Sequence, residues 1–315
     1  MPEPLPFPLE GKEEEFKFPA ETHLHLAALP FAGVQKPLSE AERVAVIFWG
    51  PPNSGKTTGC SQYVLKHYPT DVLNSMVPVS YDEPILRPCT GALLNIPAYA
   101  EIYAAQEKIA KACGRPDRDL LTETYRTYRW DSQRVRSLTL NRAVVEGYHV
   151  CVDTTSSSSG IYKMIEALRK LGYTKIDIIG MVAPLAVAVP RSEERLRIVE
   201  PDEVFSKRDG AFRTFGGLVE RADNLVLLNN AVNGQSPEFV LRAKEGAVVE
   251  NRLLAVRHIA AYVATEQDYC ARHPVGQGFA EKLAESGISF VDVLHAPVVA
   301  VRKAAELGSS WLKPR

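Results

Sequence analysis

The sequence predicts an α/β protein, three αβα layers with helices on both faces of a parallel sheet. Two observations carry this. Its apolar, β-prone runs are continuous rather than alternating, as in strands buried on both faces. The segments between the runs carry helical periodicity that stops at glycine. Strand and helix in alternation build βαβ units with right-handed crossovers.

The elements follow in order. Residues 1–40 hold several prolines and a charge cluster at 12–15 with little periodicity, so a proline-rich leader that is largely irregular or wraps the surface is expected there. At VAVIFW (44–49) the character changes to a buried strand. CSQYVLKHY (60–68) reads as a helix and VPVSYD (77–82) as a short strand. The stretch 134–146 places Val135, Leu138, Ala143 and Val145 near one face and stops at Gly147, after which HVCVD (149–153) is the next strand. A helix over 162–171 stops at Gly172, and KIDIIGMVA (175–183) and NLVLL (224–228) complete the sheet. Amphipathic stretches at 251–263 and 279–285 make 234–315 a helical C-terminal extension, leaving 41–233 as the domain that carries the chemistry.

Composition narrows the class. With 45% hydrophobic and 24% charged residues in 315, the chain is neither disordered nor collagenous nor a coiled coil. Lys and Arg (37) balance Asp and Glu (38) to a net charge of -1, so no global field draws it to nucleic acid or an anionic membrane. Five scattered cysteines without a C-x-x-C pair do not form a disulfide framework. The start of the chain lacks the pattern of a signal or transit peptide. The longest apolar stretch, 178–189, contains Gly180 and Pro184 and falls short of the ~20 residues that span a bilayer. A cytoplasmic protein with no membrane segment is expected.

The chemistry is announced by GPPNSGKT (50–57), which fits G-x-x-x-x-G-K-[ST] between a strand and a helix. Glycines let the backbone turn so that successive N–H groups meet phosphate oxygens at a positive helix N-terminus. The architecture is therefore that of a P-loop NTPase. Gly50, Pro51, Pro52, Asn53, Ser54, Gly55, Lys56, Thr57 and Thr58 would hold ATP, with Lys56 on the β- and γ-phosphates and Thr57 as a Mg²⁺ ligand. There is no N-K-x-D for guanine and no transporter or helicase motif set.

Two acids end strands. Asp153 is either a carboxylate in the Mg²⁺ shell, acting through water, or a strand-end cap. Asp82 is either the base that accepts the proton of an attacking hydroxyl or a turn acid before Pro84. Arginines crowd 191–213, among them Arg191, Arg195, Arg197, Arg208 and Arg213, and read as a lid over the phosphates or as a solvated helix laced with ion pairs. TETYRTYRWDSQR (122–134), with Arg126, lines an acceptor pocket or merely starts a helix. Its basic and aromatic residues also suit stacking on single-stranded nucleic acid.

Over 44–230 these motifs resemble the zeta-toxin-like P-loop kinases, near the polynucleotide-kinase-like enzymes. The resemblance rests on GPPNSGKT, Asp82 after the second strand, VCVDTT, the LGY turn at 171–173, the arginine-bearing lid and ADNLVLLNN (222–230). It implies transfer of the ATP γ-phosphate to a hydroxyl, with Asp82 as base and Arg195 and Arg208 as the lid pair. UDP-N-acetylglucosamine is the acceptor of the best-known members. Their acceptor-binding E-G-T-x-R reads DTTSS (153–157) here, so Asp153 and Thr155 match in position while Ser157 replaces a bidentate arginine. The expected substrate is a small-molecule hydroxyl, a sugar nucleotide being one candidate. A nucleic-acid 5′-hydroxyl is the less favoured acceptor. A nucleotide-binding switch that meets protein partners through its terminal extensions is the alternative outside catalysis.

Overall fold

A computed structural model describes residues 12–37, 42–80, 108, 111–114, 126–193, 199–230 and 236–251. In chain order its elements are α1 Ala20–Ala28, β1 Arg43–Trp49, α2 Lys56–His67, α3 Thr70–Asn74, β2 Met76–Val79, α4 Arg129–Glu146, β3 His149–Asp153, α5 Gly160–Lys170, β4 Tyr173–Val182, α6 Leu185–Ala188, α7 Pro190–Glu193, α8 Pro201–Arg221, β5 Asn224–Asn229, β6 Glu238–Lys244 and β7 Ala247–Asn251. The strands make a seven-stranded mixed sheet of the α/β class. Among the described residues no helix is long and apolar enough to cross a membrane. The chain divides into two compact units.

One unit takes Met1–Arg43, Pro69–Asp153 and Ser192–Val199. Its β2 and β3 pair in parallel, with Val79 opposite Val152. Within the leader, the described residues 12–37 carry α1, which packs on α4, in place of a largely irregular course. Prolines do not break this segment, because Pro19 sits at the N-cap of α1 and Pro30 in the first turn of the following 3₁₀ helix, both positions that proline tolerates. Leu26 and Ala27 are buried, and Thr139 Oγ1 of α4 donates to Ala27 O at 3.4 Å.

The anchor of this packing is Asp131, on the first turn of α4 and 0% exposed. It accepts from the backbone N–H of Lys17 (3.0 Å) and Phe18 (2.9 Å) and from His23 Nε2 (2.8 Å). Phe18 stacks on Tyr128 at 4.8 Å between ring centroids. Burial first, and the Asp131 charge second, push the Tyr128 phenol up to about 12. A carboxylate that looks solvated in RWDSQR is thus the acceptor that fixes the N-terminal segment.

The other unit takes Val44–Tyr68, Thr154–Arg191 and Glu200–Arg315. Its strands neighbour one another in the order β1-β4-β5-β6-β7. β4 and β5 are parallel, while β6 and β7 are added antiparallel. The sheet is thus mixed, its expected parallel strands joined by an antiparallel pair, and 238–251 extend it as strands where the helical extension was expected to begin. EFVLRAK and AVVEN are joined by Glu245 and Gly246 at φ 50° and 79°, the paired positive dihedrals of a tight hairpin turn. Residues 252–315, with the remaining expected helices, lie outside the described residues.

The core of this unit is built on β1, where Val44 to Trp49 are all under 5% exposed, as the continuous apolar run requires. Trp49 meets Phe215 of α8 at 5.1 Å. Tyr162 of α5 donates its phenol to Thr214 O at 2.8 Å, tying α5 to α8. Val64 and Cys60 bury one face of α2, and Cys60 Sγ donates to Ile179 O of β4 at 3.4 Å.

Candidate phosphate-binding site

At the carboxyl end of β1 the chain enters the loop 50–55 and resumes as α2 at Lys56. Gly50 passes so close to β4 that a Cβ there would stand 2.2 Å from Met181 O. Asn53 (φ 60°) and Gly55 (φ 81°) adopt the left-handed conformation that turns the loop. Pro51, Pro52, Asn53 and Ser54 are buried, Lys56 is half-buried, and Thr57 and Thr58 are exposed at the first turn of α2. The site thus combines a tight loop, an ammonium group and a helix N-terminus, three features that attract a polyphosphate. Ser54 Oγ is buried without a hydrogen-bond partner among the described residues, and it lies on the side of the loop that faces Gly50.

The carbonyls of this loop are held by two residues distant in sequence, Arg191 and Asn230. Arg191 Nη1 donates to Asn53 O at 3.4 Å, and its Nη2 donates to Asn230 O and Oδ1, both at 3.3 Å. Asn230 Nδ2 donates to Ser54 O at 3.0 Å. Arg191 belongs to the arginine-crowded stretch expected as a lid over the phosphates or a solvated helix, and Asn230 to the ADNLVLLNN run; the structure places both on the backbone of the loop itself.

Beside the loop, Thr154 N donates to Phe48 O at 3.1 Å, continuing past the end of β3. The segment then turns sharply at Ser156, which is buried at φ 50° and donates its N–H to Thr154 Oγ1 at 3.1 Å. Thr214 Oγ1 of α8 donates to Ser156 O at 2.7 Å. Thr155 Oγ1 and Ser157 Oγ lie 3.4 Å apart, both half-buried. A row of hydroxyl groups stands where the resembled motif would carry an arginine.

The other candidates fall in different places. Arg208 is on α8 and only 3% exposed, so it is part of the packing around that helix rather than a solvent-facing side chain. Asp153 ends β3 half-buried, and Arg126 is exposed ahead of α4; both belong to the unit that does not contain the loop. Asp82 and Arg195 lie outside the described residues. Among the described residues no cluster of three His, Cys, Asp or Glu side chains forms a metal site. The hydroxyl of Thr57 and the carboxylate of Asp153 are hard oxygen donors of the kind Mg²⁺ takes, a cation that keeps several waters and binds through substrate phosphates.

No protein-family model matches the chain, and no curated protein matches it. Solved structures do. One, from the PezAT chromosomal toxin-antitoxin system of the human pathogen Streptococcus pneumoniae, has 12% identity and a TM-score of 0.48 over 68% of this chain and 80% of that one. The AvrRxo1-ORF1:AvrRxo1-ORF2 structure with sulphate ions has 15% identity and a TM-score of 0.47 over 96% of this chain and 92% of that one. The AvrRxo1-ORF1:-ORF2 structure with ATP has 14% identity and a TM-score of 0.43 over 93% and 89%. The chain is similar to these proteins at low identity. Its α/β class stands on its own strands and helices, and its candidate site on its own loop.

Proposed function

We propose that the chain is an ATP- and Mg²⁺-dependent kinase that transfers the γ-phosphoryl group of ATP to a hydroxyl of a small molecule. The observation that supports this is the loop 50–55 itself, turned by Asn53 and Gly55 and followed at once by Lys56 on the first turn of α2. A Cβ at Gly50 or Gly55 would enter backbone or side-chain space, so the cradle depends on those two glycines.

In this reading the phosphates lie against the loop N–H groups, and the Lys56 ammonium meets the β- and γ-oxygens. Thr57 and, through water, Asp153 would hold Mg²⁺, which when bound neutralises charge on those oxygens. Asp82 takes the proton of the acceptor hydroxyl, the bond to the γ-phosphorus forms from that oxygen, and ADP leaves. Arg195 and Arg208 remain the candidates for charge stabilisation. The hydroxyl groups of Thr155 and Ser157 suit a polyol or sugar acceptor, which hydrogen-bonds through its own hydroxyls.

Transfer from γ-labelled ATP with Mg²⁺ tests the proposal, with sugar nucleotides, nucleosides, short oligonucleotides and polyols offered as pools beside Lys56→Ala. Label that enters one small-molecule pool and vanishes in the variant is the expected result. Label in the oligonucleotides would make the chain a polynucleotide 5′-hydroxyl kinase. ATP binding without any transfer would make it a nucleotide-binding module.

A further inference from the structure

Asn230 and Arg191 hold two carbonyls of the phosphate loop, and a held carbonyl fixes the direction of the N–H in the same peptide plane. In a trans peptide the C=O and the next N–H point in opposite directions. The carbonyl of Ser54 shares its peptide plane with the N–H of Gly55, and the carbonyl of Asn53 shares one with the N–H of Ser54. Asn230 Nδ2 holds the first carbonyl at 3.0 Å, and Arg191 Nη1 holds the second at 3.4 Å. Holding the Ser54 carbonyl on Asn230 turns the Gly55 N–H to the opposite side of the peptide, away from Asn230.

We propose that Asn230 is a positioning residue for nucleotide binding, its carboxamide fixing the Ser54–Gly55 peptide with the Gly55 N–H toward the phosphates. The inference rests on the phosphate-binding reading of this loop and adds a residue to it. Three further observations support it. The backbone of Asn230 is itself fixed, because its N–H donates to Val182 O at 2.7 Å where β4 and β5 end together. Its amide has one workable orientation, since Oδ1 accepts from Arg191 Nη2 at 3.3 Å while Nδ2 faces a carbonyl. And Gly55 leaves the room this needs, because a Cβ there would stand 2.2 Å from Asn230 Nδ2. A hydrogen bond accepted by a carbonyl also polarises its peptide, making the N–H on the other side a stronger donor.

Asparagine is specific for this task. Aspartate would keep an acceptor for Arg191 but set an oxygen against Ser54 O, reversing one contact while preserving shape. Asn230→Asp and Asn230→Ala therefore separate the donor from the packing.

The experiment is calorimetric titration of the full chain and both variants with the Mg²⁺ complex of a non-hydrolysable β,γ-imido ATP analogue, with melting temperatures taken with and without it. Wild type is expected to bind. Both variants are expected to bind about five- to tenfold more weakly, the size of one net hydrogen bond, with Asn230→Asp no better than Asn230→Ala. The rise in melting temperature on adding the analogue should shrink in both. Variants that melt lower but keep wild-type affinity would make Asn230 merely structural and overturn the inference, leaving the kinase proposal in place. Wild-type affinity in Asn230→Asp alone would show that shape, not the donor, matters, and would overturn it equally. A wild-type chain that binds no analogue would overturn the phosphate-binding reading and this inference with it.

Discussion

Gly210 of α8 approaches Ser157 so closely that a Cβ on it would stand 2.3 Å from the Ser157 carbonyl oxygen and 2.9 Å from the Ser157 Cβ. The contact lies between a helix and the hydroxyl-bearing segment after β3, whose Ser156 O is also held by Thr214 of the same helix. Gly210→Ala sets two effects against each other. Alanine gains about 0.5–1 kcal/mol over glycine in a helix interior. Forcing a methyl group against backbone oxygen costs about 1–3 kcal/mol. The steric term wins, because a carbonyl held by its own chain does not swing aside as a flexible side chain does. Gly210→Ala should unfold at lower urea than wild type; an equal or higher midpoint would show that the segment yields freely.

Asp131→Ala should release the N-terminal segment from α4. The buried carboxylate accepts from Lys17 N, Phe18 N and His23 Nε2, so its removal orphans donors at about 1–3 kcal/mol each unless the segment detaches to find water. Detachment is the cheaper outcome, because the Lys17 and Phe18 N–H groups then find water instead of standing buried and unpaired. Brief trypsin treatment should then cut the variant at Lys12 or Lys17 well before wild type. Equal cleavage in the two would mean that Phe18 and Leu26 hold the segment without the carboxylate.

The sequence made legible whatever depends on neighbours in the chain. Val44 to Trp49 read as a doubly buried strand because its own residues are continuously apolar. The phosphate loop was equally plain, since its glycines, lysine and threonine are consecutive. Asp131 was hidden because its burial is conferred by residues 113 and 114 positions away. Asn230 was hidden for the same reason, its partner Ser54 being 176 positions distant. The β6–β7 hairpin differs, because its signal was present: EFVLRAK and AVVEN flank a Glu-Gly pair that can take two positive φ values. The polar residues within those strands suit an added sheet edge, and they interrupt the continuous apolar run that marks the buried strands.

His149 should give the stability curve an acid-side slope. Burial at the start of β3 lowers its pKa below the ordinary 6.5, against smaller opposing effects of Asp71 and Glu42. A lowered folded-state pKa means the unfolded chain binds more protons below pH 6.5, so stability falls as pH falls there. The contribution is fully present above 6.5 and is lost as pH drops through the lowered value. Compared with His149→Gln, wild type should lose unfolding free energy between pH 6.5 and 5, while the difference between the two stays constant from pH 7.5 to 8.5. A difference that is flat across the whole range would show that the imidazole titrates alike in both states.

Asp82 offers the sharpest separation of binding from chemistry. If its carboxylate takes the proton of the acceptor hydroxyl, Asp82→Asn keeps size and polarity but removes the basic lone pair. General-base assistance is worth about 10²–10⁴-fold, so kcat should fall by that order while the Kd for ATP stays near wild type. Lys56→Ala should behave in the opposite sense, weakening ATP binding as well as transfer, because in the proposed reaction its ammonium meets the phosphates before and during transfer. The pair of variants is therefore read together on a single acceptor. Loss of ATP binding in Asp82→Asn would move Asp82 from base to metal or nucleotide ligand. Full transfer by Asp82→Asn would leave the proton to another group and remove this acid from the mechanism.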